Sequence, residues 1–307
     1  MKGNVYTYSD LVTAWKCPRA WSWYAQGYRQ PLMPEAYLRG IFTHKAVAAH
    51  WMGQRPMDAI EVAYADYLEG VKSMRAENAD ALKDAGRAKA VAEDLAARYI
   101  SKFGESVAPA AVEELMSVPR SADAFETLRI GGTPDLVAIK PNSQRVLVNF
   151  KTTGNMYLKA LDVTGQYDFY AYVWGETGRK PINAILFDVV SPEYITRVER
   201  PPRLERGRYL FEAARELSGM SLTWSQALPH FGHHCGSCEY MAPCSLYEDG
   251  GDPQERLMAE YAIDEASIGR YAAHPDPAEQ IAAKATVKAT SKPTFSARPL
   301  AAMKDTL

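Results

Sequence analysis

Asp135, Asn149 and Lys151 are residues whose types and spacing could do chemistry. Along "VLVNFKTT", residues 146–153, side chains alternate. Leu147, Asn149 and Lys151 therefore share one strand face, and Val146, Val148 and Phe150 share the other, which reads as the core side. The preceding strand begins at Asp135, just after "GGTP", and the turn between the two strands is "PNSQ", centred near Asn142 or Ser143. Folding about that centre sets Asp135 opposite Asn149 or Phe150, so the three polar residues gather at one end of a hairpin. Divalent-metal chemistry at such a place wants a carboxylate two residues before the lysine. Asparagine keeps the shape and an amide oxygen but not the charge, and a hard cation prefers carboxylate.

The four cysteines of the chain form a second constellation: Cys235, Cys238 and Cys244 in a C-x2-C-x5-C spacing, and Cys17 far upstream in "WKCPRAW". Four thiolates make a complete tetrahedral set for zinc or an iron–sulfur cluster. His233 and His234, beside the cysteines, could replace one of them in a zinc site. Two helical pairs complete the candidates. Gln166 and Tyr170 in "QYDFY" lie four apart, on one helix face. His44 in "GIFTH" lies four residues after Gly40, whereas His50 falls off that face.

The elements that must position these residues are legible in outline. Residues 9–24 read as a helix broken or kinked near Pro18, and 34–51 as a second helix with Pro34 in its first turn. Residues 57–103 read as two long helices with a break near 78–80. "AVEELMSVP", "AFETLRIGG", "DLVAIK" and "RVLVNFK" read as consecutive strands, followed by a helix over 157–174. "INAILFDVV" and "YITRVER" return to strand. Helices follow at 202–219 and 253–267, and residues 274–307 lack usable periodicity and read as a disordered tail. The order predicts an α/β (α+β) fold, a mixed central sheet flanked by helices. Three segments are expected: a helical region 1–108, a core with the cysteine segment 109–250, and a short helix with tail 251–307.

The 307 residues, 47% apolar and 23% charged, suit a soluble globular protein, and a net charge of −2 announces no polyanion partner for the chain as a whole. No run of about 18 apolar residues is present, and the N-terminus lacks the apolar stretch of a signal peptide, so a cytosolic protein without a membrane span is expected.

The ordered set Cys17, His44, Pro134–Asp135, Lys151, Gln166/Tyr170 and the three clustered cysteines resembles the iron–sulfur RecB-like branch of the PD-(D/E)xK nucleases. That group includes CRISPR-associated adaptation nucleases, AddB-type nuclease domains and phage exonucleases. The resemblance spans residues 9–250 and implies a restriction-endonuclease-like core, with 57–103 in a helical cap. It further implies Mg²⁺ or Mn²⁺ held by His44, Asp135, the residue at 149 and the Phe150 carbonyl. Asp135, Asn149 and Lys151 would be the catalytic set, and Gln166 and Tyr170 would contact DNA. Cys17, Cys235, Cys238 and Cys244 would hold a 4Fe-4S cluster, with zinc as the alternative. The implied activity is a DNA exonuclease acting on ends or single strands in recombination, CRISPR adaptation or phage DNA metabolism, in the cytoplasm of a bacterial, archaeal or phage-infected cell. Recombination or CRISPR adaptation proteins are possible partners, and ring-forming relatives allow an oligomer.

Position 149 is Asp or Glu in that pattern. The chain as written is therefore expected to bind metal poorly and to cut slowly or not at all. Three explanations stay open: a near-isosteric engineered Asp→Asn replacement, a natural nuclease-like protein that binds DNA without cutting, or another acid filling the gap, with Asp162 and Asp168 as candidates. Two other function classes stand beside the nuclease: a non-catalytic DNA-binding or regulatory protein on the same scaffold, and a zinc-stapled interaction module.

Overall fold

The described residues pack into four hydrophobic cores, one of them among α-helices alone around Phe42, Ile60 and Ala88, and the order of the elements explains how they arise. The computed structural model describes residues 5–30, 32–73, 79–120, 128–153, 164–218 and 229–263. All of these lie within one unit, Met1–His274.

The short strand β1 (Val5–Thr7) runs into helix α1 (Tyr8–Lys16). Thr7 and Asp10 cap α1 reciprocally: the Asp10 carboxylate accepts from the Thr7 N–H at 2.7 Å, and the Thr7 hydroxyl accepts from the Asp10 N–H at 3.3 Å. The break expected near Pro18 falls at Cys17. Pro18 opens α2 (Pro18–Ala25) at a first-turn position where its missing N–H costs nothing. Then come β2 (Tyr28–Arg29), α3 (Glu35–Trp51), α4 (Pro56–Ser73) and α5 (Ala79–Phe103).

The stretch read as one strand over 111–119 is two. β3 (Ala108–Val112) and β4 (Met116–Pro119) belong to different sheets. The chain leaves β3 through Glu113, whose φ of 44° is left-handed, and this turn separates the two strands. β5 (Arg129–Gly132) pairs with β4 and, in parallel, with β1. Its two glycines permit close approach: a Cβ on Gly131 would stand 2.0 Å from the Met116 carbonyl oxygen. β6 (Leu136–Ile139) and β7 (Arg145–Thr152) form the expected hairpin.

The helix expected over 157–174 is α6 (Gln166–Glu176), entered from Gly165, which lies outside the helix; residues 157–163 are outside the described residues. β8 (Ala184–Val190), β9 (Ile195–Arg200) and α7 (Leu204–Ser218) follow. After a 3-10 turn at His233–Ser237 come α8 (Met241–Glu248) and α9 (Pro253–Glu260). The helix expected over 253–267 ends at Glu260, because Ala262–Ile263 becomes strand β10 against β2. The tail read over 274–307 lies outside the described residues.

The main sheet has the order β3-β6-β7-β8-β9, with β7 and β8 parallel and the other pairs antiparallel. This is the mixed sheet flanked by helices that the order of elements predicted. On one face Val47 and Trp51 of α3 and Leu95 and Tyr99 of α5 pack against Val146, Val148 and Phe150. On the other, Tyr167, Tyr170 and Val173 of α6 and Phe211 of α7 pack against Val137, Leu147 and Phe187. Here the structure corrects an expectation. The Leu147–Asn149 face is as buried as the Phe150 face, because a central strand with a parallel neighbour is covered by helices on both sides. The third core joins Trp23 and Tyr28 near the N-terminus to Tyr240 and Leu257. Among the described residues no helix is long and apolar enough to cross a membrane.

Candidate functional site

The register of the hairpin places the site. Leu136 pairs with Val148, so Asp135, one residue before β6, continues opposite Asn149. The Asp135 carboxylate accepts a hydrogen bond from the Phe150 N–H at 2.8 Å and one from Asn149 Nδ2 at 3.3 Å. The sequence placed Asp135 opposite Asn149 or Phe150, and its side chain touches both.

Helix α3 delivers His44. A Cβ on Gly40 would meet Thr152 Oγ1 at 3.0 Å, so the helix lies close against β7 at that turn. One turn on, His44 stands edge-on to Phe150 with ring centroids 4.8 Å apart, and its Nδ1 is 3.5 Å from Asp135 Oδ1. A small cavity of about 10 Å³ is lined by His44, Glu113 and Asp135 among aliphatic and aromatic side chains. His50 lies apart, with Nε2 3.2 Å from the Gly104 carbonyl oxygen.

From the other side of the sheet α6 contributes Gln166 and Tyr170. Gln166 Nε2 donates to the Tyr170 hydroxyl at 3.2 Å. Tyr170 is packed so tightly on β5 that a Cβ at Gly132 would stand 2.5 Å from its ring. Burial, aided by the nearby Asp135 charge, outweighs the Gln166 hydrogen bond and pushes the Tyr170 phenol up to about 12. Lys151 is half-buried, with Nζ 6.0 Å from the ring centroid of Tyr167. Burial first, then the Asp135 charge, raises the Tyr167 phenol as well.

Two residues near this site were not singled out from sequence. Tyr167 stands inside the quoted "QYDFY" motif, but its contact with Lys151 depends on how α6 crosses β7. Glu113 was hidden inside an apparent strand; the acidic pair Glu113–Glu114 interrupting an apolar run was the one available signal.

Of the two acids considered as substitutes for the missing carboxylate, Asp162 lies outside the described residues. Asp168 is excluded by its partners. It is fully buried on α6, where Arg200 grips it with bonds of 2.7 and 3.0 Å and the Arg203 N–H donates at 2.9 Å. A carboxylate so neutralised ties α6 to β9 and is not available to a cation.

The residues at the hairpin fit a hard divalent cation in donor type: a carboxylate at Asp135, an imidazole at His44 and a main-chain carbonyl at Phe150. Asn149 supplies the most direct sign. It is 0% exposed, its Nδ2 is bonded to Asp135, and its Oδ1 has no hydrogen-bond partner. A buried acceptor left unpaired is costly, and a cation beside it would remove that cost.

The four cysteines, all free thiols, line one cavity of about 480 Å³ between α2, the 3-10 turn and α8, with His234 in the same lining. Burial pushes the Cys238 and Cys244 thiols up, and Arg19, with Nη1 3.7 Å from Cys244 Sγ, opposes this at Cys244. The buried Nε2 of His234 has no partner, whereas His233 is exposed. Among the described residues no three His, Cys, Asp or Glu side chains are arranged to hold a metal ion as they stand. The thiol donors suit a thiophilic metal or cluster by type, and the side chains would have to close around it.

Comparison with known proteins bears on this geometry. A solved structure described as the crystal structure of SSO0001 is 14% identical over 78% of this chain and 85% of that one, at a TM-score of 0.38, too low to carry an argument. No curated protein matches the sequence. The family model of the PD-(D/E)XK nuclease superfamily matches residues 6–245, a span that holds Asp135, Lys151, His44 and all four cysteines. The chain belongs to the PD-(D/E)XK nuclease superfamily.

Proposed function

We propose that the chain is a metal-dependent DNA nuclease of the iron–sulfur RecB-like type, acting on DNA ends or single strands and impaired as written by Asn149. The observation that carries the reading is the buried Asn149 Oδ1, unpaired beside the Asp135 carboxylate at the place where the motif wants a second acid. Asp135, His44, Asn149 and the Phe150 carbonyl would hold Mg²⁺ or Mn²⁺. When bound, the ion supplies charge stabilisation at the scissile phosphate and acidifies a water. Lys151 would bring a positive charge to the phosphate and orient the attacking water, and the Phe150 N–H keeps the Asp135 carboxylate turned to the site. Gln166 and Tyr170, hydrogen-bonded to each other, would set the position of the DNA backbone.

Cys17, Cys235, Cys238 and Cys244 would hold a 4Fe-4S cluster that staples α2 to the C-terminal segment. Their gathering around one cavity supports this, and the cavity is far larger than a single ion needs. Zinc remains the alternative, with His234 as a further donor. Anaerobically purified protein is expected to be brown, with about four irons per chain. Colourless protein carrying one zinc would replace the cluster by zinc.

The test of the nuclease reading is Asn149→Asp, assayed on labelled single- and double-stranded DNA with Mg²⁺ and Mn²⁺. A charge restored at a metal site is expected to raise cleavage by about 100-fold or more over the chain as written. No cleavage above background, in folded protein with its cysteine site filled, would sink it. One observation favours a second reading, a non-catalytic DNA-binding protein. The Asn149 amide donates to Asp135 and so partly satisfies that carboxylate without a cation. That reading expects salt-sensitive DNA binding and no cleavage in either form.

A further inference from the structure

We infer that Glu113 supplies the carboxylate that position 149 lacks, turning from Lys45 to hold the divalent cation together with Asp135 and His44. The inference rests on the nuclease reading above.

Four observations converge. First, Glu113 is fastened beside Asp135 through the main chain: its N–H donates to the Asp135 carbonyl oxygen at 3.1 Å. Second, its side chain lines the same cavity as His44 and Asp135, and about 10 Å³ is the space of roughly one water-sized particle. Of the remaining lining, the Tyr99 hydroxyl is given to Asp188 and the Trp51 indole is a donor only, so these three are the groups that suit a cation, and they are not arranged to hold one until Glu113 turns. Third, Glu113 already holds a cation. Lys45, the residue after His44 on α3, reaches it at 3.1 Å, and the Glu113 side chain keeps 31% exposure. An ion pair this exposed is worth little, so a divalent ion can displace the lysine cheaply. Fourth, Asn149 is fully buried, touches the same Asp135 carboxylate and leaves Oδ1 unpaired. Asp135 thus has a neutral, unpaired acceptor at one carboxylate oxygen, on the α6 face of β7, and the α3-side pocket with His44 and the half-exposed Glu113 at the other. Glu113 comes from the end of β3, so the acid would enter from a different strand than the motif predicts.

The experiment measures Mn²⁺ binding by electron paramagnetic resonance and calorimetry on the full chain, with circular dichroism to confirm folding. The native chain, Glu113→Gln, Asn149→Asp, the double variant and Asp135→Asn are compared. Changing even an indirect partner of a metal ligand usually costs about 10- to 100-fold, so Glu113→Gln is expected to weaken Mn²⁺ binding by at least about tenfold. In the Asn149→Asp background the same change is expected to cost about threefold or less, because the carboxylate at 149 takes over. Lys45→Ala is expected to tighten Mn²⁺ binding in the native chain and to do so less when position 113 is Gln. Equal Mn²⁺ affinity of native chain and Glu113→Gln, with Asp135→Asn defective, overturns the role of Glu113 and leaves the nuclease site standing. So does Mn²⁺ binding that appears only with Asn149→Asp. Unchanged binding in Asp135→Asn removes the metal site and this inference together.

Discussion

Lys151 shows how much of the site is decided by single side chains. It sits one strand position past Phe150, whose N–H orients Asp135, and two past Asn149. The alternation of β7 therefore puts Lys151 on the α6 side, near the Tyr167 ring, with Asn149, while Phe150 faces α3 and His44. Lys151 shares its face with Asn149 but is itself outside the proposed ligand set, so charge at the phosphate and affinity at the metal site should separate on mutation. In the Asn149→Asp background, Lys151→Met is expected to lower the DNA cleavage rate by about 100- to 1,000-fold, as removal of a charge-stabilising donor does. Mn²⁺ affinity should stay within about threefold, because Lys151 is not a ligand. Single-turnover cleavage and Mn²⁺ titration check the two halves. A parallel loss of both would show that Lys151 holds the metal site together instead.

At the scale of elements, the close packing of β5 under α6 decides where Gln166 and Tyr170 stand. A Cβ on Gly132 would meet the Tyr170 ring at 2.5 Å, so Gly132→Ala must push α6 off β5 or turn the ring. Overpacking of this kind typically costs about 1–3 kcal/mol. Urea unfolding should show that loss, and a smaller one in a Tyr170→Leu background, where the ring is gone. Equal losses in both backgrounds would locate the cost in the glycine backbone rather than at the ring. The sequence made the hairpin legible, because "PNSQ" is short enough to set the register and the apolar runs on either side are clear. It also showed Cys17 at a helix break, through Pro18. It could not show that both faces of β7 are buried, since alternation looks the same whether one or two layers of helix cover a strand. The acidic pair at 113–114 lies inside a run read as one strand, and only the left-handed backbone at Glu113 reveals the turn. Asp168 was misjudged for a similar reason: Arg200, which claims it, lies 32 residues away on β9, beyond any local pattern.

Over the whole molecule, buried tyrosines stand in three of the four cores. Tyr99 packs with the α3/α5 side of the sheet and donates to Asp188 at 2.8 Å. Tyr167 and Tyr170 fill the α6 side. Tyr240 donates to the Tyr28 carbonyl at 2.6 Å and closes the N-terminal helices onto the C-terminal segment. Burial is the leading cause that raises every one of these phenols, with Asp188 adding to it at Tyr99 and Glu239 at Tyr240. The direction fixes the sign of the pH dependence. A phenol whose folded value is raised contributes its stability in full below the unfolded value of about 10. Above that pH the unfolded chain ionises while the folded chain does not, and the contribution is lost as pH climbs toward the folded value. For Tyr170, held at about 12, the window is pH 10 to 12, and at about 1.4 kcal/mol per pH unit the loss is roughly 2 to 3 kcal/mol. Because three of the four cores contain such a residue, the urea midpoint is expected to fall steeply between pH 10 and about 12 without an intermediate plateau. Tyrosinate absorbance at these positions should appear together with loss of helix signal, not before it. A fraction of tyrosines matching these four that titrates near 10 in still-folded protein would show that their burial does not hold them neutral.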